Sequence, residues 1–227
     1  MFEKYLEKEQ IYNHIKLFSP AKSINDRTFW DKAALVFGDN IQKEIAIYDK
    51  EIFLPLKASM YREFVTKKDR EHFEHEYMKR RNALLVYTVA EACENQGNHI
   101  EKITDLVWMI LEETDWAVPA HLEYLMYTKE SLPDYEKSCL DIMAGETGKT
   151  LALVYLILKD KLDAISVNIS DRIKKELEKR ILQNYLTHTD YWYLGLDPNA
   201  QQPNNWNPWV NGNVLFVALS MGQKLLV

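Results

Sequence analysis

The apolar residues of the chain recur with the 3.6-residue period of the α-helix, at positions i, i+3, i+4 and i+7. Stripes of this kind begin at Ala83, Ile100, Leu140, Ile173 and Val210. The alternating pattern typical of half-buried strands does not recur between them. We therefore predict an all-α protein.

The links between these stripes are short, which favours antiparallel helical hairpins. Gly97-Asn98 separates the first two stripes, and residues 160–170 are predicted to form a polar connector, with Ser170 as the N-cap of the helix after it. Residues 116–133 are predicted to be an irregular link. Residues 194–208 are rich in Asn, Gln and Pro, and we expect them to be the longest non-helical stretch.

A helix predicted over residues 135–158 is apolar nearly all round, so we expect it to be buried. It contains Glu146, which has two interpretations: a buried carboxylate paired with an Arg or a backbone donor, or a carboxylate that faces a ligand. Residues 145–150, Gly-Glu-Thr-Gly-Lys-Thr, resemble the end of a phosphate-binding loop. However, Met143 stands where that loop needs its first Gly, and the stretch lies within a helix rather than after a strand. Nucleotide binding is therefore not expected.

Composition excludes several classes of protein. The chain of 227 residues carries a net charge of −6, which argues against a nucleic-acid partner. No run approaches the ~18 apolar residues of a membrane span, and the first residues lack the apolar core of a signal peptide. We expect no membrane partner and a cytoplasmic location. Cys93 and Cys139 fall in helical apolar stretches and are expected to be buried free thiols.

His72 and His75 lie among glutamates at helical spacing, which could hold a metal, but the stretch is so highly charged that we predict a solvated helix face. Neither a metal nor a cofactor is expected. The remaining single histidines His14, His99 and His188 are expected at the surface. The basic side chains that we assign to solvated helix faces are those of Lys79, Arg80, Arg81, Lys174, Lys175, Lys179 and Arg180.

Residues 204–209, Asn-Asn-Trp-Asn-Pro-Trp, carry the strongest candidate chemistry, and Tyr191-Trp192-Tyr193 precede them. Flat aromatic faces stack on the C–H faces of sugar rings, and Asn amides offer both a donor and an acceptor to hydroxyls and carboxylates. We predict a ligand-facing surface that includes Asn204 and Trp192. The alternative is an aromatic loop that packs on the next helix. His121, in the link after Trp116, is either a structural residue or a donor or proton carrier in a pocket.

Residues 70–97, 110–121, 141–158 and 204–213, taken in this order and at this spacing, resemble the helical domain of the heparinase II/III-type polysaccharide lyases. That domain is an (α/α) toroid shared with alginate lyase-like enzymes. The resemblance covers most of the chain from about residue 60 onward, and only the last segment is specific by itself. It implies an incomplete (α/α) toroid of antiparallel helical hairpins, with an acidic polysaccharide or oligosaccharide as its partner.

These lyases cut uronate-containing glycans by β-elimination. An Asn, His or Arg neutralises the uronate carboxylate, a Tyr or His removes the C5 proton, and a Tyr usually protonates the leaving oxygen. The resemblance implies that Asn205 is the neutralising amide. Some relatives have a His beside this Asn, and this chain has Trp206 at that position. The role of that His is therefore missing here or is supplied by another residue. The implied sugar-stacking walls are Trp116, Trp206 and Trp209, and the implied groove-lining polar groups are His121 and Glu146.

The last apolar stripe runs to Val227 without a cap, so we expect a chain that stops early. By the resemblance, residues 1–227 would be the N-terminal portion of the toroid. The remaining helices, with the base Tyr and a second His, and a C-terminal β-sandwich would follow, and this chain would be inactive alone. Uncovered apolar helix faces would favour a homodimer. The alternative functions are a non-catalytic carbohydrate-binding helical module and a helical scaffold that binds protein.

Overall fold

The computed structural model describes residues 19–126, 130–196 and 204–222, and within these ranges it contains helices and no strand. The prediction of an all-α protein is confirmed. The helices are α1 (Arg27–Tyr48), α2 (Ala58–Lys67), α3 (Glu71–Glu94), α4 (Ile100–Leu111), α5 (Pro119–Met126), α6 (Ile142–Ile165), α7 (Val167–Leu177) and α8 (Trp206–Ser220). A π-helical stretch, Glu178–Gln183, and the helical turn Asn184–Thr187 continue α7, and Trp192–Leu194 form a 3₁₀ turn.

The helix α6 lies at the centre of the packing, in contact with α3, α4, α7 and α8. Its buried side chains include Leu151, Val154 and Leu158 on one stripe, with Ala152 and Ile157 on either side of it. The prediction that this helix is buried is confirmed, although it begins at Ile142 rather than at residue 135.

Two predicted links differ in the structure. Residues 160–170 are not a connector, because α6 continues to Ile165 and Ser166 alone separates it from α7; the Ser166 hydroxyl accepts a hydrogen bond from the Asn168 backbone N–H at 3.3 Å. Ser170 is not an N-cap but a buried residue within α7 that donates to Asp163. The link predicted over residues 116–133 contains α5, whose first residue is a Pro, as helix starts tolerate.

Several side chains that were expected in solvent are buried. Arg80 is 1% exposed and Arg81 is 4% exposed, because both guanidinium groups lie beside the carboxylate of Glu113. His99 is also buried, with its ring 5.7 Å from that of Tyr87. The charged pattern around residue 80 indicated a solvated face. The partner of Arg80 and Arg81, Glu113, lies 32 positions beyond Arg81, so a local sequence pattern does not contain it.

Other predictions about single residues hold. Cys93 and Cys139 are buried free thiols, although Cys139 lies in the non-helical segment before α6. The side chains of His72 and His75 are exposed, at 55% and 73%. His14 lies outside the described residues. Among the described residues, no helix is long and apolar enough to cross a membrane.

The glycines of the Gly-Glu-Thr-Gly-Lys-Thr stretch have a packing role. The stretch lies inside α6, as predicted. A Cβ atom on Gly148 would come within 2.8 Å of Ile181 Cγ1 and 3.4 Å of Val217 Cγ2, so α8 and the π-helical stretch approach the bare backbone at this point. A Cβ atom on Gly145 would lie 3.2 Å from Asn213 Nδ2. The two glycines therefore allow α8 to pack closely on α6.

We expect Gly148→Ala to destabilise the protein by about 1–2 kcal/mol in urea unfolding, because the overpacking penalty exceeds the ~1 kcal/mol that Ala gains over Gly in a helix. The matched control is Gly38→Ala in α1, where nothing lies within 4 Å of the added methyl group. That variant is expected to be more stable by up to ~1 kcal/mol. Equal effects of both substitutions would contradict the packing role of Gly148.

The helix α1, which the sequence patterns did not indicate, exposes consecutive apolar side chains: Leu35, Val36 and Phe37 are 88%, 69% and 55% exposed. Homodimerisation through apolar helix faces stays a prediction, and light scattering across a concentration series is the measurement that decides it.

Candidate functional site

The Asn- and Trp-rich segment forms the start of α8. The non-helical stretch was predicted to run to residue 208, but α8 already begins at Trp206, with Asn205 as its N-cap residue. Asn204 fixes this start, since its side-chain oxygen accepts a hydrogen bond from the Trp206 backbone N–H at 2.9 Å. Asn205 is exposed, and its side chain makes no capping hydrogen bond. The amide of Asn205 is therefore available to a ligand at the N-terminus of α8.

The ring of Trp206 contacts three other aromatic rings. Its centroid lies 4.8 Å from that of His121, 5.6 Å from that of Trp192 and 6.0 Å from that of Tyr193. Asn207 holds this cluster together, because its side-chain amide donates to the backbone carbonyl of Tyr193 at 2.8 Å. The start of α8 is therefore held both against the 3₁₀ turn and against α5.

His121 forms a hydrogen-bonded pair with Asp141. The two atoms Nδ1 and Oδ2 are 2.6 Å apart, and Asp141 is fully buried. The same carboxylate is the N-cap of α6, where Oδ1 accepts from the Ala144 backbone N–H at 2.6 Å, and Oδ2 also accepts from the Val118 N–H at 3.3 Å. Because both Asp141 oxygens accept from backbone N–H groups, Nδ1 is the donor of this pair, and the lone pair of the imidazole lies on Nε2. We assign this tautomer from the hydrogen bonds.

The segments that carry this pair are joined by a second buried carboxylate. Asp115 accepts hydrogen bonds from the backbone N–H groups of Ala117, at 3.0 Å, and Cys139, at 3.1 Å. Burial raises the pKa of Asp115 to about 7, and the two backbone hydrogen bonds oppose the shift. Because Ala117 precedes α5 and Cys139 precedes α6, these bonds fix His121 relative to Asp141.

Glu146 links α6 to α8. Its Oε1 atom accepts hydrogen bonds from Trp209 Nε1 at 2.6 Å and from Asn213 Nδ2 at 3.0 Å, while Oε2 lies 2.7 Å from Lys149 Nζ. Burial raises the pKa of Glu146, but the hydrogen bonds from Lys149, Trp209 and Asn213 outweigh it, so the net pKa is lowered. Glu146 is thus a half-buried, ionised carboxylate whose partners are a Lys and two side-chain N–H donors. Among the described residues, neither an Arg nor a backbone donor pairs with it.

The structure connects most of the predicted site residues into one set. Trp206 contacts His121, and Trp209 binds Glu146 while its side chain remains 45% exposed. Trp192 is only 9% exposed and supports Trp206 rather than offering a face of its own. Two members of the set, Asp141 and Asn213, were not singled out in the sequence. A local signal existed for Asp141, as an N-cap residue directly before an apolar stripe.

Trp116 does not belong to this set. Its ring is fully buried, its indole N–H donates to the Ile110 carbonyl at 3.0 Å, and the Arg180 guanidinium lies 4.8 Å from its ring. A ring that stacks on a sugar must present a face to solvent, so Trp116 is removed from the predicted stacking walls and assigned to the core.

No protein-family model matches the chain, and no curated protein matches it. Within the described ranges, no group of three or more His, Cys, Asp or Glu side chains is placed to hold a metal ion. The features of the site itself are an exposed amide, a partly exposed Trp pair, an oriented imidazole and a charge-neutral Glu–Lys pair.

Proposed function

We propose that this chain is the helical domain of an acidic-polysaccharide lyase of the heparinase II/III type, with its helices arranged as in an (α/α) toroid. It acts on uronate-containing glycans by β-elimination. The observation that carries the proposal is the free amide of Asn205 beside Trp206, whose ring contacts the imidazole of the His121–Asp141 pair.

The first step is neutralisation of the uronate carboxylate. The C5 proton becomes removable only when the negative charge that develops next to it is stabilised. The Asn205 amide can donate hydrogen bonds to that carboxylate. The N-terminus of α8 adds a partial positive charge at the same position, because the peptide dipoles of a helix sum to a positive N-terminal end. The Trp206 and Asn207 N–H groups themselves donate to Asn204, so the ligand meets this charge rather than free N–H groups.

The second step is removal of the C5 proton by Nε2 of His121. In this proposal His121 takes the place of the base Tyr that the resemblance puts on later helices, so the described helices are active by themselves. The C–H bonding electrons form the C4–C5 double bond, the C4–O bond breaks, and the leaving oxygen takes up the proton that the His121 imidazolium releases. Asp141 orients the imidazole through Nδ1 and stabilises the imidazolium that forms. His121 thereby supplies the imidazole that relatives carry beside their Asn, where this chain has Trp206.

The sugar rings lie against Trp206 and Trp209 in this proposal. Glu146 fixes the orientation of the Trp209 indole through its N–H. A lone carboxylate would repel an acidic glycan, but Lys149 is ion-paired with Glu146 at 2.7 Å and cancels its charge. The surface therefore admits a polyanion although the whole chain has a net charge of −6.

The second candidate function is carbohydrate binding without catalysis, and the same partly exposed Trp209 and free Asn205 amide favour it. The protein-binding scaffold is the third, with the exposed apolar side chains of α1 as its supporting feature. A glycan array separates the first two candidates from the third.

The direct test is incubation with alginate and with heparan sulfate while the ultraviolet absorbance of the unsaturated uronate product is recorded. We expect Asn205→Ala to lower the rate by at least about 100-fold, as for the removal of an oxyanion donor, and His121→Gln by about 10²–10⁴-fold.

Matched control variants are Asn98→Ala and His75→Ala, which change exposed residues outside the site and are expected to keep the full rate. Full turnover by Asn205→Ala would refute the role of its amide. Saturable binding of the glycan without any unsaturated product would favour the carbohydrate-binding module instead.

A further inference from the structure

A second site lies between α2, α3 and the C-terminal end of α4, away from Asn205. It is a cavity of about 200 Å³. Leu56, Trp108 and Met109 give it an apolar wall, and Tyr61, Arg80 and Glu113 form its polar end. Trp108 is 44% exposed, so the apolar wall reaches the surface of the protein while the polar end is buried.

Two donors at the polar end of the cavity have no hydrogen-bond acceptor among the described residues. The Tyr61 hydroxyl and the Nη2 atom of Arg80 are both buried without a hydrogen-bond partner, although Nη2 lies at an ion-pair distance of 3.1 Å from Glu113 Oε1. The hydrogen bond of the Arg80 guanidinium is a long one, 3.3 Å from Nε to the Glu76 carbonyl. Buried donors without acceptors are costly, so native proteins rarely leave two of them at one place.

The neighbouring Arg81 differs from Arg80, because all three nitrogens of its guanidinium group donate hydrogen bonds. Its guanidinium donates to both oxygens of Glu113, at 3.2 and 2.6 Å, and to the Thr147 hydroxyl at 2.7 Å. Glu113 is therefore committed to Arg81, and Arg80 shares only the charge of that carboxylate.

The charges around Glu113 are unequal. Two guanidinium groups, those of Arg80 and Arg81, face the single carboxylate of Glu113, which leaves one excess positive charge in this group of three. Two other carboxylates have partners of their own: Glu76 is ion-paired with Lys79, and Asp115, whose pKa burial raises to about 7, accepts from the Ala117 and Cys139 backbone N–H groups. Burial lowers the pKa of Arg80 and the charge of Glu113 opposes that shift, but an Arg side chain stays protonated in proteins. Glu112, the other carboxylate of the cavity wall, is ion-paired with Arg172. It does not supply the missing negative charge.

We propose that this cavity binds a small organic carboxylate. The ligand carboxylate accepts hydrogen bonds from the Arg80 guanidinium and the Tyr61 hydroxyl and balances the excess charge. Its apolar body lies against Trp108, Met109 and Leu56. This site is separate from the proposed lyase chemistry, because its lining residues do not include Asn205, His121 or Trp206.

Calorimetric titration with benzoate tests the proposal, with benzamide as the neutral ligand of the same shape. We expect saturable binding of benzoate and binding of benzamide at least about tenfold weaker, since a charge-assisted hydrogen bond is lost. Glucuronate, a carboxylate with a polar body, is expected to bind more weakly than benzoate against the apolar wall. Equal affinities for benzoate and benzamide, or no binding of either carboxylate, would overturn the proposal.

Two variants separate binding from folding. Arg80→Met is expected to weaken benzoate binding by about tenfold or more, while Arg70→Met, an exposed Arg before α3, leaves it unchanged. Tyr61→Phe removes a hydroxyl that has no partner, so we expect several-fold weaker benzoate binding with no loss of unfolding free energy. Asn205→Ala is expected to bind benzoate normally. Unchanged benzoate affinity in both Arg80→Met and Tyr61→Phe would show that these side chains have only a structural role.

Discussion

Replacing Glu113 with Gln is expected to lower the free energy of unfolding by roughly 3–5 kcal/mol, which is the usual cost of removing one partner from a buried ion pair. Glu113 is 6% exposed, and it is the carboxylate beside both Arg80 and Arg81. The Gln side chain keeps the size of Glu but leaves both buried guanidinium groups without a counter-charge. Urea unfolding followed by circular dichroism measures the change.

The adjacent residue provides the control. Glu112 also pairs with an Arg, but its side chain is 57% exposed, so Glu112→Gln is expected to change the stability by no more than ~1 kcal/mol. Similar losses in the two variants would contradict the view that Glu113 is the buried counter-ion of the fold. In the Glu113→Gln background, Arg81→Met is expected to cost less than it does in the wild-type protein, because that Arg has already lost its partner.

Replacing Trp116 with Ala is expected to cost about 3–5 kcal/mol of stability, the range for deleting a large aromatic ring from a core. The ring is fully buried, and the variant also leaves the Ile110 carbonyl without its indole donor. Because the Trp116 ring presents no face to solvent, glycan binding should fall only as far as folded protein is lost. Thermal or urea unfolding gives the first quantity, and titration with a uronate oligosaccharide gives the second.

For Trp209→Ala, which serves as the comparison, we expect the opposite result: a small loss of stability and a clear loss of glycan affinity. Its side chain is 45% exposed, so the loss of stability is expected to be no more than ~1–2 kcal/mol, while the affinity for the oligosaccharide falls by about tenfold. If instead Trp116→Ala retained its stability and lost only glycan binding, the assignment of Trp116 to the core would be wrong.

The helices could be predicted from the sequence where burial repeats along one face. The stripe from Leu151 through Val154 to Leu158 indicated a buried helix, and α6 is one. The end of α6 could not be predicted, because polar residues such as Asp160 and Asp163 look like a connector when their partners are unknown. In the structure Asp163 accepts a hydrogen bond from Ser170 of the next helix, so a polar stretch remains helical on both sides of Ser166.

The candidate site shows the same division between local and long-range information. The exposed position of Asn205 and Trp209 follows from a segment whose composition is unusual for a core. The bond between Trp209 and Glu146 joins residues 63 positions apart, and no local pattern contains it. Arg80 and Arg81 were assigned to solvent for the same reason, since Glu113 lies 32 positions beyond Arg81.

Asp141, the N-cap residue of α6, and Glu146 are held at a fixed distance by the first turns of the same helix. The first sets the start of α6 and holds His121, and the second, five residues later, holds Trp209. At a rise of about 1.5 Å per residue, the two attachment points are about 7.5 Å apart along the helix axis. A single residue inserted between them would turn Glu146 by about 100° away from Trp209 while leaving the His121 pair in place. The spacing between the His121 imidazole and the exposed Trp209 indole is thus set by the register of α6, which makes this stretch of the chain intolerant of insertions and deletions.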